Sequence, residues 1–185
     1  AGGEYLALVA PDGITVLTEF APFYPPQDED YSYGLSSFTG GVSETFVTEN
    51  ATGNYFIPVD GSLGNDWHQP QFDDSSWQTG TAGFGWETPG AALDPLISTD
   101  IRDDMRNQNA SGFFRFEFNF DSTDREIQSL TLNTRIDDGY VAYLNGTRVA
   151  DYNAPEDEAW DSRSNGSGRS DAQIVASASE HDVTD

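Results

Sequence analysis

The chain contains no cysteine and no lysine, only two histidines and a single methionine. It also lacks any apolar run near the ~18 residues that a membrane-spanning helix needs. Each absence excludes something. Without cysteine there is neither a disulfide framework nor a thiolate metal site, which suits a secreted bacterial protein and equally a cytosolic one. His68 and His181 lie far apart in the sequence, a poor basis for zinc, which takes about three protein ligands. With no Cys nucleophile and no Gly-x-Ser-x-Gly elbow, nucleophilic hydrolysis is unsupported and the chain reads as non-enzymatic. His68 itself reads as an exposed polar residue in a Trp-His-Gln-Pro loop. No basic, then apolar leader pattern opens the chain, and Ala1-Gly2-Gly3 reads as a processed or excised end. A helical period sustained over about 10 residues is missing as well. The polar tract from Thr99 to Gln108 predicts a short helical turn at most.

Positive charge is the other scarcity. Eight basic residues, every one an arginine, face 32 acidic ones, for a formal charge of −24. Such a surface repels phosphate, which argues against nucleic acid and against anionic membranes as partners. Two readings of the acidity stand side by side. One is a solvated acidic surface suited to a saline medium; the other gathers some carboxylates around Ca²⁺. The expected location is extracellular or at the cell surface, of bacterial and marine or saline origin. Hydrophobic residues make up 36% and aromatic residues 13%, a ring-rich composition that fits thin β-sandwich cores. Paired carboxylates abound, yet 32 acids make a glycosidase pair meaningless without geometry. Four Asn-x-Ser/Thr sequons occur, at Asn50, Asn109, Asn145 and Asn165; glycosylation is expected only from a eukaryotic source.

What is present is strand signal. Asn145-Gly146 joins two alternating apolar runs, from Arg135 to Tyr152. A type I′ turn needs φ > 0 at both central residues, so this dipeptide predicts a hairpin, entered through the acidic turn Asp137-Asp138-Gly139. A second hairpin is expected over residues 4–20, turning at Pro11-Asp12-Gly13, where Pro presets φ and Gly accepts a left-handed conformation. The Pro-rich, acidic stretch 21–34 reads as an extended linker. Phe113 to Asp121 alternates strictly, with Phe114, Phe116, Phe118 and Phe120 on one face, and predicts the clearest strand. Further strands are expected at Thr45–Thr48, Asn54–Pro58, Ile127–Ile136 and from Gln173 to Ser177. Asp73-Asp74-Ser75-Ser76-Trp77 predicts a capped single turn.

The order Trp67, Phe72 to Trp77, Gly80, Gly83-Phe84-Gly85, Phe114-Arg115, Asp138-Gly139 and Tyr143-Leu144-Asn145-Gly146 resembles the galactose-binding-like β-sandwich (jelly-roll) family. Modules of this kind accompany glycoside hydrolases and large bacterial surface proteins. The resemblance covers roughly 36–185. Residues 1–34 resemble the last hairpin of a lamin-tail-like immunoglobulin-fold domain, through Tyr5 to Val9, Pro11-Asp12-Gly13 and Ser32-Tyr33-Gly34. The implied organisation is a hairpin and linker over 1–34, followed by an all-β antiparallel sandwich over 35–185. Family members usually continue past 180–185 into closing strands. The sequence leaves three accounts open: a fragment, further residues beyond those given, or a strand donated by another copy, with residues 1–20 as the donor.

Candidate site residues follow. Asp137 and Asp138 end one strand, while Asp151 and Asn153 end its partner, so their oxygens are placed to converge on Ca²⁺. Glu156 to Asp161 is a second acidic loop. For a polysaccharide or glycan ligand, Trp67, Trp86 and Trp160 supply rings in loop-like stretches, and Arg148 and Tyr152 lie on the hairpin, placed to line a sandwich face. Trp77 reads as packed beneath its turn. The expected function is a non-catalytic carbohydrate-binding or adhesion module of a larger surface protein, supported by Ca²⁺. The alternative is a structural subunit of a surface layer or filament, assembled by strand exchange between copies.

Overall fold

The computed structural model describes residues 6–20, 42–123 and 126–184. The chain divides into two units, residues 1–43 and 44–185. In the first, β1 (Leu6–Val9) pairs antiparallel with β2 (Val16–Phe20), Ala7 opposite Glu19 and Leu8 opposite Thr18. The turn closes as its residues dictate. Gly13 adopts φ +70 and donates to the Ala10 carbonyl at 2.9 Å. Asp12 accepts from the Ile14 and Thr15 amides and the Thr15 hydroxyl, which holds its carboxyl down at about 2. The linker 21–34 and the start of the expected hairpin lie outside the described residues.

The second unit is built of short strands. β3 (Thr52–Phe56) is central in a three-stranded antiparallel sheet, between β4 (Gln78–Thr81) and β7 (Phe113–Arg115). β5 (Phe84–Gly85) and β6 (Thr99–Asp100) form a small parallel pair. β8 (Thr131–Thr134) pairs antiparallel with β11 (Ser179–Asp182), and β9 (Tyr140–Leu144) with β10 (Thr147–Tyr152). Among the described residues, two short α-helices, α1 (Arg102–Met105) and α2 (Asp171–Ala176), interrupt the strands. The fold is therefore all-β, in several mostly antiparallel sheets.

Its centre is Tyr55, Ile57 and Ile101, with Phe84, Trp86, Met105 and Phe114 packed around them. Tyr55 and Ile57 alternate with half-buried Phe56, the period-2 pattern of a strand. Burying such a side chain contributes roughly 1.5–3 kcal/mol before entropy is counted. Trp77 is buried under the Asp73–Trp77 turn against Phe56 and Phe72. Asp73 Oδ1 accepts from the Ser75 amide at 3.0 Å, as the capped turn requires.

Four local expectations change. The run from Phe113 keeps its alternation, with Phe114, Phe116, Phe118 and Phe120 half-buried and Glu117 and Asn119 exposed, but its sheet pairing stops at Arg115. Beyond that point the rings meet side chains: Phe116 lies 6.3 Å from Phe84, and Phe46 stacks on Phe118 at 5.1 Å and meets Phe120 edge-on. Phe46 itself lies in a bend, so the strand expected at 45–48 is absent. The strand expected over 127–136 forms only at Thr131–Thr134. Finally, the strand expected from Gln173 to Ser177 is replaced by helix through Ala176, and only the capping residue Ser177 is extended. Gln173 Oε1 accepts from the Ser170 amide at the front of α2, and Arg135 and Arg169 donate to the last-turn carbonyls of Ile174 and Gln173. These end-caps outweigh the β preference of Ile174-Val175.

Candidate functional site

The β9–β10 hairpin sets the geometry. Asn145 and Gly146 both take positive φ, 51 and 88, as a type I′ turn demands. The register then places Tyr143 opposite Arg148, but Ala142 opposite Ala150, so Val149 is an extra residue, a β-bulge. Ordinarily residues three apart on a strand point to opposite faces; one inserted residue restores the same face. Tyr143, Arg148, Val141 and Asp151 therefore share one face, and Arg148 reaches Asp151 at 3.1 Å. Tyr140, Ala142, Ala150 and Tyr152 share the other, where Tyr140 meets His181 of β11 edge-on. Arg148 and Tyr152, expected to line one face together, are separated by this bulge.

A loop docks on the first face. The turn Asp66–His68 carries Trp67, whose ring stacks on Phe113 at 4.5 Å. His68 stacks on Tyr143 at 4.3 Å and 9°, the closest ring pair in this cluster. Both rings are half-buried and Trp67 meets each edge-on. Gln69 packs against the turn, its amide 2.7 Å from where a Gly146 Cβ would stand. The loop is held from beneath by Arg115 of β7, which pairs with Asp74 at 2.8 Å and donates to the carbonyls of Trp67 and Gln69. Glu158 completes the cluster: it accepts from the Tyr143 hydroxyl and binds Arg148 at 3.1 Å. Burial, then the hydrogen bond to Glu158, push the Tyr143 hydroxyl up to about 12. An open groove of about 600 Å³ adjoins Arg148, lined also by Gln128, Val149, Asp182, Val183 and Thr184.

Spectrophotometric titration should therefore show one tyrosine ionising near 12. A raised folded pKa stabilises fully below the unfolded value near 10 and is lost between there and about 12. The folded chain should accordingly lose stability across that window, and Tyr143→Phe should reduce the loss, with Tyr55, which burial also pushes up, contributing to the remainder.

The other expected residues occupy separate places. Trp86 packs on the Tyr55–Ile57–Ile101 core. Trp160 lies over Gly61, and its carbonyl accepts from Asn109, which also bonds the Pro58 and Ser111 carbonyls. Of the three tryptophans, Trp67 alone joins the hairpin cluster. Asp151 is turned to Arg148. Asn153 takes φ 47 and donates its amide to the carbonyls of Asp138 and Ser167, tying loop 165–168 across the Asp137-Asp138 turn. Burial and the neighbouring Asp138 raise the Asp137 pKa. The four oxygens expected to meet around calcium are thus divided between two local arrangements. Among the described residues, no group of three His, Asp or Glu side chains is arranged to hold a metal. With Asp137 held in an unfavourable charged state, Asp137→Asn should raise the melting temperature at neutral pH, and EDTA should leave the wild type unchanged. A lower melting temperature in EDTA, abolished by Asp137→Asn, would establish calcium there instead.

Sequence reasoning missed His68, Gln69 and Tyr143, and singled out Glu158 only as part of the acidic loop Glu156 to Asp161. The Tyr143–Arg148 pairing was readable from the two-residue turn alone, since such a turn dictates register. Nothing in the sequence places His68 or Glu158 beside it.

No protein-family model matches this chain, and no curated protein or solved structure shows significant similarity to it.

Proposed function

We propose that this chain is a non-catalytic, carbohydrate-binding module of a larger extracellular or cell-surface protein, its second unit a galactose-binding-like jelly-roll sandwich. The observation that carries the reading is the His68–Tyr143 stack rimmed by Gln69, Arg148, Asp151 and Glu158. Aromatic rings offer apolar surface to the C–H faces of a sugar, while planar amide, carboxylate and guanidinium groups bond its hydroxyls. The rings meet Trp67, which is itself stacked on Phe113, so the surface is preorganised and little side-chain freedom is lost on binding. The acidic surface suits a saline exterior. Electrophoresis through polysaccharide-loaded gels tests the reading. Tyr143→Ala should abolish retardation, whereas Trp86→Phe, altered in the core, should keep it; equal retardation of all three proteins would refute it.

A second reading, assembly by strand exchange between copies, draws on the N-terminal hairpin. Leu8, Ile14 and Leu17 are 60%, 84% and 61% exposed, and an isolated two-stranded hairpin is marginal in water. Sedimentation decides: a concentration-independent monomer excludes assembly.

A further inference from the structure

We infer that the hairpin site selects neutral saccharides and rejects anionic ones such as uronates and sulfated glycans; this rests on the carbohydrate reading above. Among the described residues, Arg148 is the cation paired with the carboxylates of the hairpin face, and both of its terminal nitrogens are engaged. One faces Asp151 and the other Glu158, each at 3.1 Å. An incoming carboxylate or sulfate would meet a guanidinium whose charge is already shared between two carboxylates, and would be repelled by both of them. With one cation between two carboxylates, the cluster is net negative. Asp182 adds to this in the adjoining groove, where the Thr184 hydroxyl and amide hold its carboxyl below the usual range and so keep it ionised.

The remaining hydrogen-bonding capacity is mostly that of acceptors. Carboxylates accept and never donate, so Asp151, Glu158 and Asp182 call for a ligand rich in donors. The stacked rings call for an apolar face. Hydroxyl-bearing, uncharged sugars meet both demands. A cationic ligand would meet the first by charge alone, in a way that salt screens within about 3 Å at 1 M. A neutral sugar has no such sensitivity.

The experiment uses the whole chain, retarded in gels carrying a neutral β-glucan, an anionic alginate or a cationic chitosan, at 0.1 M and 1 M salt. The expected result is retardation by the glucan, unchanged by salt and at least tenfold weaker for Tyr143→Ala. Glu158→Gln, which keeps an acceptor for the Tyr143 hydroxyl, should weaken it severalfold while leaving the melting temperature near wild type. Retardation by alginate that depends on Tyr143 would overturn the selectivity and leave carbohydrate binding standing. Retardation by chitosan alone, lost at 1 M salt and equal in Tyr143→Ala, would overturn both. So would the absence of Tyr143-dependent retardation in all three gels.

Discussion

Arg115→Ala is expected to destabilise the larger unit by up to about 3–5 kcal/mol, the penalty for breaking a largely buried ion pair from one side. Arg115 and Asp74 are only 13% and 14% exposed. Arg115 also bonds the carbonyls of Trp67 and Gln69 and lies 5.6 Å over the Phe72 ring. Alanine leaves the Asp74 carboxylate buried without its cation and the two carbonyls without their donor. Against a typical total of about 5–15 kcal/mol, that is a large share. Urea unfolding followed by tryptophan fluorescence measures it, and a loss under about 1 kcal/mol would show that solvent relieves the pair. Arg115→Lys should recover only part, since a point charge cannot serve carboxylate and carbonyls together. Replacing both partners, Arg115→Met with Asp74→Leu, should cost less than Arg115→Ala. Because Arg115 anchors the loop that presents His68, any glycan retardation should fall in step.

Gly83→Ala is expected to cost about 2–5 kcal/mol, from two independent causes. Gly83 has φ +93, where a side chain adds about 1–2 kcal/mol of strain. A Cβ there would also stand 2.3 Å from the Leu96 carbonyl oxygen and 3.1 Å from the Ser98 nitrogen, and overpacking adds about 1–3 kcal/mol. The clash is with backbone, and it cannot be relieved without moving the Gly83 carbonyl away from the Ser98 and Thr99 amides it bonds at 2.8 and 3.1 Å. Gly90→Ala is the control: φ is +84, but nothing lies within 4 Å of its Cβ. Strain alone applies there, so thermal or urea unfolding should show the smaller loss. Equal losses would mean that the loop at 96–98 yields.

Several features were legible from residues alone because their causes are local. Asn145-Gly146 implied a type I′ hairpin because few residues tolerate φ > 0 twice in succession. Pro11-Asp12-Gly13 and Asp73–Trp77 close turns through side chains two or three positions away. Alternation along Phe113–Phe120 revealed which face is covered, although not that Phe46 packs against its far end. Gln173–Ala176 misled because its helix is decided partly at long range, by Arg135. The site behaved likewise. A single bulge at Val149 reversed the facing of Arg148 relative to Tyr152, and bulges leave no reliable mark in a one-dimensional pattern.

By itself, then, the sequence determined the all-β class, the positions of the tight turns, the half-buried aromatic face and the strongly acidic net charge. Turn geometry, strand period and net charge act over a few residues or over the whole chain, so a linear reading reaches them. Tertiary structure alone decided which of the many rings and carboxylates meet. It brought His68 to Tyr143, Glu158 to Arg148 and Arg115 to Asp74, and sent Trp86 into the core. Those meetings join residues as many as 75 positions apart only because strands from distant segments pair and one inserted residue turns Arg148 over.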